Sequence, residues 1–183
     1  MPGDNDWSGR VLGGYKILFE LGRGGMGTVY KAHDPALDRP VALKVLPSTA
    51  WSNEDAVARF RKEAQLAASL HHPHIVQIYT LGEYQGVHFY CMEFVKGKTL
   101  ALLLREAGPL PLSRALQLMI EVCDALIAAH AKNVVHRDLK PGNVMLDEAG
   151  RVRILDFGLA KEADVPGVRV WWSHRRYSRI HVS

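Results

Sequence analysis

The stretch HRDLKPGNVMLDEAGRVRILDFG, residues 136–158, is the most informative part of the sequence. Within eight residues it offers a carboxylate (Asp138), an ammonium (Lys140) and an amide (Asn143). A carboxylate can accept or orient a hydroxyl proton, a lysine can steady phosphoryl oxygens, and an amide oxygen suits Mg²⁺. Asp156 follows a short apolar run, where it could bind metal or cap a turn. The loop therefore favours phosphoryl-transfer chemistry.

A second motif lies upstream, in LGRGGMGTVY, where Gly22, Gly24 and Gly27 have the spacing G-x-G-x-x-G. Alone this pattern is weak evidence, because dinucleotide-binding folds use it too. Those folds need a helix directly after the glycines. Here the strand formers Thr28 and Val29 follow instead. The sequence therefore predicts a glycine-rich hairpin whose backbone N–H groups can close over phosphates.

Lys44 lies in the apolar run VALKVLP, where a lysine is either on the solvent face or buried against an acidic partner. The candidate partner is Glu63 in RFRKEAQLAASL. Its neighbours Phe60 and Ala64 predict a helix face turned inward. The alternative for Glu63 is an ordinary surface pair with Arg59, four residues earlier.

The pattern around these motifs predicts an α+β chain with a strand-rich first part and a helix-rich second part. The predicted strands are 13–22, 27–34, 41–47, 75–83 and 87–95. A helix capped by Ser52 precedes the HHP at 71–73, and a short helix runs from Thr99 to Gly108. A longer helix is predicted over 111–133. Its predicted apolar face comprises Leu112, Leu116, Met119, Cys123, Leu126 and His130.

Composition restricts the classes of protein. The chain has 183 residues with 48% hydrophobic and 23% charged residues, which are globular values. Its net charge of +4 comes from residues 169–183, which hold four arginines and no acid, so we expect no nucleic-acid partner. We find no signal peptide and no run of ~18 apolar residues, so we predict a cytoplasmic protein without a transmembrane segment. Cys91 and Cys123 lie in apolar stretches and are predicted to be reduced and buried.

The sequence resembles the catalytic domain of the eukaryotic-type Ser/Thr protein kinases, in the form found in bacteria. The resemblance rests on five motifs in the order of that family: the glycine-rich loop, VALK, the helix glutamate, HRDLKPGN and DFG. The resemblance covers about residues 11–161. It implies a protein-kinase-like α+β fold with a lead-in at 1–14. A complete small lobe of five strands and one helix would occupy 15–95, and a partial, mainly helical large lobe 96–161.

The resemblance also implies ATP and Mg²⁺ as cofactors and a protein Ser or Thr hydroxyl as substrate. Lys44 would bind phosphates and pair with Glu63. Asp138 would be the catalytic base, with Lys140 near the γ-phosphate. Asn143 and Asp156 would hold Mg²⁺. The other residues implied at the nucleotide are Leu21, Gly22, Gly24, Gly27, Val29, Ala42, Met92, Glu93, Val95 and Met145.

Within this set, Met92 would lie at the back of the pocket. Residues 93–95 would form the hinge whose backbone bonds the adenine edge. Arg137 would bring control by a phosphorylated activation loop, since its charge needs an anionic partner.

After Lys161 the sequence departs from the family, because neither an A-P-E segment nor a threonine follows. We therefore expect a truncated domain followed by an atypical basic tail at 162–183. The tail, with Trp171 and Trp172, is interpreted as translation in a wrong frame or as a basic anchor. The apolar helix 111–131 would then lack part of its cover, which favours association or aggregation.

Three functions follow from these expectations. The first is an active Ser/Thr kinase. The second is a nucleotide-binding or regulatory module that pairs with another kinase chain through its small lobe. The third is a defective product without a function of its own.

Overall fold

The first part of the chain is built on one antiparallel sheet of six strands, in a computed structural model that describes residues 6–24 and 27–157. Its order is β1-β2-β3-β4-β6-β5. The strands are β1 (Val11–Leu12), β2 (Tyr15–Gly24), β3 (Gly27–Asp34), β4 (Arg39–Val45), β5 (Ile78–Tyr84) and β6 (Val87–Glu93). Neighbouring strands are mostly consecutive in sequence, so short turns build most of this sheet.

The sheet has one strand more than the five predicted. The additional strand β1 lies in the lead-in and pairs with β2 through Val11 opposite Lys16 and Leu12 opposite Tyr15. The turn between them consists of Gly13 and Gly14, whose φ angles are 55° and 92°. Two positive φ values in a two-residue turn match the twist of a hairpin, which explains the glycine pair. A strand of two residues is too short to show an alternating pattern, so the sequence did not reveal it.

A single long helix, α1 (Glu54–Ala68), packs against β5 in this part of the fold. The prediction that Ser52 caps it is wrong, because the side chain of Asn53 accepts a hydrogen bond from the backbone N–H of Ala56 at 3.0 Å. Asn53 is the last extended residue and so can satisfy a first-turn donor. The buried face of α1 comprises Phe60, Glu63, Ala64 and Ala67.

The second part combines two helices with a sheet of three short strands. Its helices are α2 (Leu100–Ala107) and α3 (Leu112–His130), and its strands are β7 (Gly97–Thr99), β8 (Val144–Asp147) and β9 (Val152–Ile154). As predicted, Thr99 caps α2 by accepting a hydrogen bond from the N–H of Leu102, and Gly108 ends it with a φ of 77°. Two short 3₁₀ turns lie at Ser48–Ala50 and Pro141–Asn143. The α+β fold class is confirmed.

Helix α3 turns a different face inward than the sequence predicted. Its buried residues are Leu118, Val122, Ala125 and Ala129. The predicted face is largely in solvent, comprising Leu112, Leu116, Met119, Cys123 and His130, whereas Leu126 is partly buried. The helix is apolar on several sides, so hydrophobicity alone does not select a face. The small Ala125 and Ala129 allow a close approach to the rest of the core, and this packing decides the orientation.

One apolar core runs through both parts of the chain. It contains Phe60 and Ala64 of α1, Val122 of α3, Ile154 of β9 and the fully buried Phe157. A second cluster covers the opposite face of the large sheet and includes Leu12, Ile17, Tyr30, Val41, Leu43, Phe89 and Cys91. Burying both faces of the sheet fixes the positions of the strands that carry the predicted site.

The two cysteines differ in environment. Cys91 is buried as predicted, whereas the prediction that Cys123 is buried is wrong, because it lies on the outward face of α3. None of the helices in the described ranges is long and apolar enough to cross a membrane. The predicted basic tail at 162–183, and the first five residues of the lead-in, lie outside the described residues.

The cap of α1 gives a test of the local fold. Replacing Asn53 by Ala leaves the Ala56 N–H without its partner and is expected to cost about 1 kcal/mol of unfolding free energy. Replacing Ser52 by Ala is the matched control and is expected to change stability by less than about 0.5 kcal/mol. Urea unfolding followed by circular dichroism measures both. Equal losses for the two variants would contradict the assignment of the cap.

Candidate active site

A cleft of about 710 Å³ lies between the large sheet and the segment that leads into α2. Nine of the residues predicted at the site line it: Leu21, Gly22, Val29, Ala42, Met92, Glu93, Val95, Met145 and Asp156. They come from β2, β3 and β4 above, from the end of β6 behind, and from β8 and the residues after β9 below. The fold therefore gathers residues that are up to 135 positions apart in the sequence.

The two other glycines of the motif lie elsewhere. Gly24 and Gly27 line a smaller cavity of about 90 Å³, together with Trp7, Tyr30 and Trp51. Gly27 has a φ of 133°, and a Cβ atom there would meet the carbonyl oxygen of Val45 at 2.3 Å. Only glycine fits at this position, so at least this part of the motif is required by the hairpin itself.

The cleft has walls that the sequence analysis did not single out. Residues 96–99 and 155 line it, as do Ala101, Leu102 and Arg105 of α2. The signal that could have found them is continuity, because the chain between the end of β6 and the start of α2 is a single connecting segment at the edge of the cleft.

Lys44 is the centre of the polar part of the site. It is buried in β4, and its Nζ lies 3.1 Å from Glu63 Oε1 and 3.1 Å from Asp156 Oδ1. The Tyr90 hydroxyl donates a hydrogen bond to the same Glu63 oxygen at 3.1 Å. The two alternatives left open by the sequence, an exposed Lys44 and a surface pair between Glu63 and Arg59, are thereby excluded.

The charges around Lys44 set its protonation. Burial by itself lowers the pKa of the ammonium, but the carboxylates of Asp156 and Glu63 outweigh it, and the net pKa lies above its ordinary value. Burial also raises the pKa of the Tyr90 phenol well above its ordinary value, so Tyr90 stays protonated and donates. The site therefore holds a permanent cation between two acidic side chains.

The loop between α3 and β8 brings three predicted residues together. Lys140 Nζ lies 2.7 Å from Asp138 Oδ2, and Asn143 Nδ2 donates to the same oxygen at 3.1 Å and to the Asp138 carbonyl at 2.8 Å. The hydrogen bond from Lys140 lowers the pKa of the Asp138 carboxyl, so the carboxylate persists to a lower pH than an ordinary aspartate. The side chains of Asp138 and Lys140 are partly exposed, so an external hydroxyl can reach them.

This loop is tied to the strand that precedes Asp156. A ring nitrogen of the buried His136 lies 2.8 Å from the Leu155 carbonyl oxygen, and its ring centroid is 4.8 Å from that of Phe157. The Leu155 N–H donates to the Asn143 carbonyl at 2.9 Å. These contacts hold Asn143 and Asp156 in one rigid unit. Arg137, for which control by a phosphorylated loop stays a prediction, has a φ of 63°.

The donor set fits Mg²⁺ bound together with phosphate. Because the amide nitrogen of Asn143 is turned toward Asp138, its oxygen points the other way. One amide oxygen and one carboxylate, from Asn143 and Asp156, match an ion that takes few protein ligands and completes its shell with phosphates and water. Within the described ranges, no three His, Cys, Asp or Glu side chains form a metal cage.

Comparison with known proteins agrees with this geometry. A family model for the protein kinase domain matches residues 15–177, and the chain belongs to the protein kinase family. It is 44% identical over 151 residues to the serine/threonine-protein kinase PrkC of Bacillus subtilis, over 82% of this chain and 23% of that protein. It is 41% identical over 160 residues to PknD of Mycobacterium tuberculosis, over 87% of this chain and 24% of that protein.

Solved structures show the same fold. The crystal structure of the M. tuberculosis PknI kinase domain superposes with a TM-score of 0.72 at 34% identity, over 84% of this chain and 62% of that one. The curated relatives are bacterial Ser/Thr kinases, and the chain spans about a quarter of their length. The family match runs past residue 161, where the motifs end, into residues that the structure does not describe.

The buried charge cluster predicts a large stability effect. Lys44→Met leaves Glu63 and Asp156 without their cation, and removing one partner of a buried ion pair costs about 3–5 kcal/mol. The exposed Lys16 provides the control, for which Lys16→Met is expected to change the unfolding free energy by less than about 0.5 kcal/mol. Urea titration measures both variants. Similar unfolding free energies for the two would contradict a contribution of the Lys44 ion pairs to stability.

The pKa of Asp138 gives a second test. Lys140→Met removes the hydrogen bond that lowers this pKa, so the pKa is expected to rise toward the ordinary aspartate value. Asp138 would then take up its proton at a higher pH. On acidification, any activity that needs the carboxylate is therefore expected to fall at a higher pH in the variant than in the wild type. Carboxyl ¹³C NMR titration measures the pKa directly. An unchanged value in the variant would show that Lys140 does not set it.

Proposed function

We propose that the cleft binds ATP with Mg²⁺ and that the protein transfers the γ-phosphoryl group to Ser or Thr hydroxyls of proteins. The observation that carries this proposal is the position of Lys44, hydrogen-bonded at once to Glu63 of α1 and to Asp156 at the edge of the cleft. Protein kinases need the lysine–glutamate ion pair and the DFG aspartate in place together for phosphoryl transfer.

The walls of the cleft support a nucleotide as ligand. Val29 and Ala42 from the sheet and Met145 from β8 would enclose a flat apolar ring. The backbone of residues 93–95 would supply the hydrogen bonds to the adenine edge. A largely apolar cleft with a few directed polar groups is the usual form of a cofactor site. Lys44 lies at the polar end, where its ammonium would meet phosphate oxygens.

Asn143 and Asp156 would hold Mg²⁺. When bound, the ion neutralises charge on the phosphate oxygens. The protein's own contribution is to orient these two side chains. The backbone hydrogen bond between Leu155 and Asn143 does this in the absence of a bound nucleotide.

Asp138 would receive the substrate hydroxyl. As a carboxylate it can accept a hydrogen bond from a Ser or Thr side chain and orient the oxygen. Lys140, 2.7 Å away, would stabilise both this carboxylate and the oxygens of the migrating group. The substrate is thus a protein side chain that enters from the exposed side of the loop. Because the reaction consumes ATP, we place it in the cytoplasm.

The test is phosphotransfer from radiolabelled ATP to a generic basic protein. Asp138→Asn keeps the shape of the side chain but removes its charge, so transfer is expected to fall by about 10²–10⁴-fold. Nucleotide binding is expected to persist, adding about 2.7 kcal/mol of stability at 100 times the dissociation constant. Asp124→Asn, on the exposed side of α3, is the control and is expected to retain transfer.

The outcomes separate the candidate functions. Transfer that survives Asp138→Asn would contradict the role of this carboxylate. Stabilisation of the wild type by Mg²⁺-ATP without transfer would make the protein a nucleotide-binding module. No stabilisation and no transfer would overturn the proposal altogether.

A further inference from the structure

A second ion pair involves Glu93, one of the residues that line the cleft. Arg153 in the middle of β9 forms a hydrogen-bonded ion pair with the carboxylate of Glu93, the last residue of β6. Their side chains are only 16% and 26% exposed. The two residues are 60 positions apart in the sequence, and they join the strand-rich part of the chain to the helix-rich part.

The same two side chains gather a third segment. The Arg153 Nη2 lies 3.4 Å from the Ile75 carbonyl oxygen, and Glu93 Oε2 accepts a hydrogen bond from the Gln77 N–H at 3.4 Å. The Glu93 N–H in turn donates to the Gln77 carbonyl at 2.9 Å. The Nε of Arg153 is buried and has no acceptor among residues 6–24 and 27–157. The contacts of Nη2 with Glu93 and the Ile75 carbonyl therefore replace much of the water that the guanidinium loses on burial.

The segment 153–156, which begins in β9, therefore meets the strand-rich part at three places. Arg153 meets Glu93 at one end. In the middle, the Val76 N–H donates to the Ile154 carbonyl at 3.0 Å, and the Ile154 N–H donates to the His74 carbonyl at 2.8 Å. At the other end, Asp156 meets Lys44. The two ion pairs are thus only three residues apart along the chain, with Arg153 in β9 and Asp156 two residues after its end.

Glu93 also lines the cleft, as the first residue of the hinge segment 93–95. Under the proposed function its backbone would bond the adenine edge, and its side chain is paired with Arg153. A shift of this residue relative to β9 would change the distance between the adenine end of the cleft and Asp156 at the metal end.

We propose that Glu93 and Arg153 are positioning residues for the nucleotide: their ion pair fixes the hinge segment relative to β9, the strand that leads into Asp156. This inference rests on the proposed function, since it assumes that the cleft takes Mg²⁺-ATP. It goes beyond that function in assigning a role in affinity to an arginine that does not line the cleft.

The test is a double-mutant cycle on nucleotide affinity. A fluorescent ATP analogue with Mg²⁺ is titrated into the wild type, Glu93→Gln, Arg153→Met and the double variant. Each single variant is expected to weaken binding about tenfold, a common size for coupling between linked groups. The double variant is expected to lose little more than either single one, because both remove the same interaction.

Two further variants separate positioning from simple stabilisation. Arg153→Lys keeps the charge near Glu93 and is expected to restore affinity to within about threefold of the wild type. Glu83→Gln, which breaks the exposed ion pair with Arg61 at 2.8 Å, is the matched control and is expected to leave affinity unchanged. Urea unfolding of every variant reports stability separately from affinity.

The possible results are distinct. Non-additive loss of affinity, with rescue by Arg153→Lys, supports the positioning role. Unchanged affinity in variants of a wild type that binds overturns this role and leaves the proposed function intact, even if the variants are less stable. Independent, additive losses also overturn it. A wild type that does not bind the analogue overturns both proposals.

Discussion

A buried ammonium group needs opposite charge within hydrogen-bonding distance, and the site of this protein depends on how Lys44 meets that need. The two carboxylates come from different elements, one from α1 and one from the residues after β9. Neither is near Lys44 in sequence. The ion pairs therefore require that α1 lies against the sheet and that β9 lies beneath it. If either element moved, a charge would be left without its partner in a place that water reaches poorly.

The remaining contacts of the site extend this constraint to the loop at 136–143. Tyr90 fixes the Glu63 carboxylate from within the sheet. On the other side, His136 and Asn143 hold the segment around Leu155 by hydrogen bonds to its backbone. Groups that would contact phosphate, metal and hydroxyl are thus positioned before any ligand arrives. Such preorganisation lowers the cost of binding and places charges where a transferring phosphoryl group needs them.

The sequence predicted the parts of this arrangement that have a local signal. Lysine in an apolar strand and glutamate on an apolar helix face made a pair between Lys44 and Glu63 one of two interpretations, and the resemblance to protein kinases favoured it. The inward face of α3 could not be chosen, because the helix is apolar on several sides and small alanines decide the packing. The pair of Glu93 and Arg153 has no local signal at all. Each is an ordinary charged residue in its own strand, and only the fold brings them together.

The most direct test of the account is a calorimetric titration of Mg²⁺-ATP into the wild type and into Glu63→Gln. This variant keeps the shape of the side chain but withdraws one negative charge from Lys44. We expect one-to-one binding to the wild type and affinity about tenfold lower in the variant, which corresponds to about 1.4 kcal/mol. Equal affinities, or no binding to the wild type, would contradict the claim that the Lys44 cluster organises a nucleotide site.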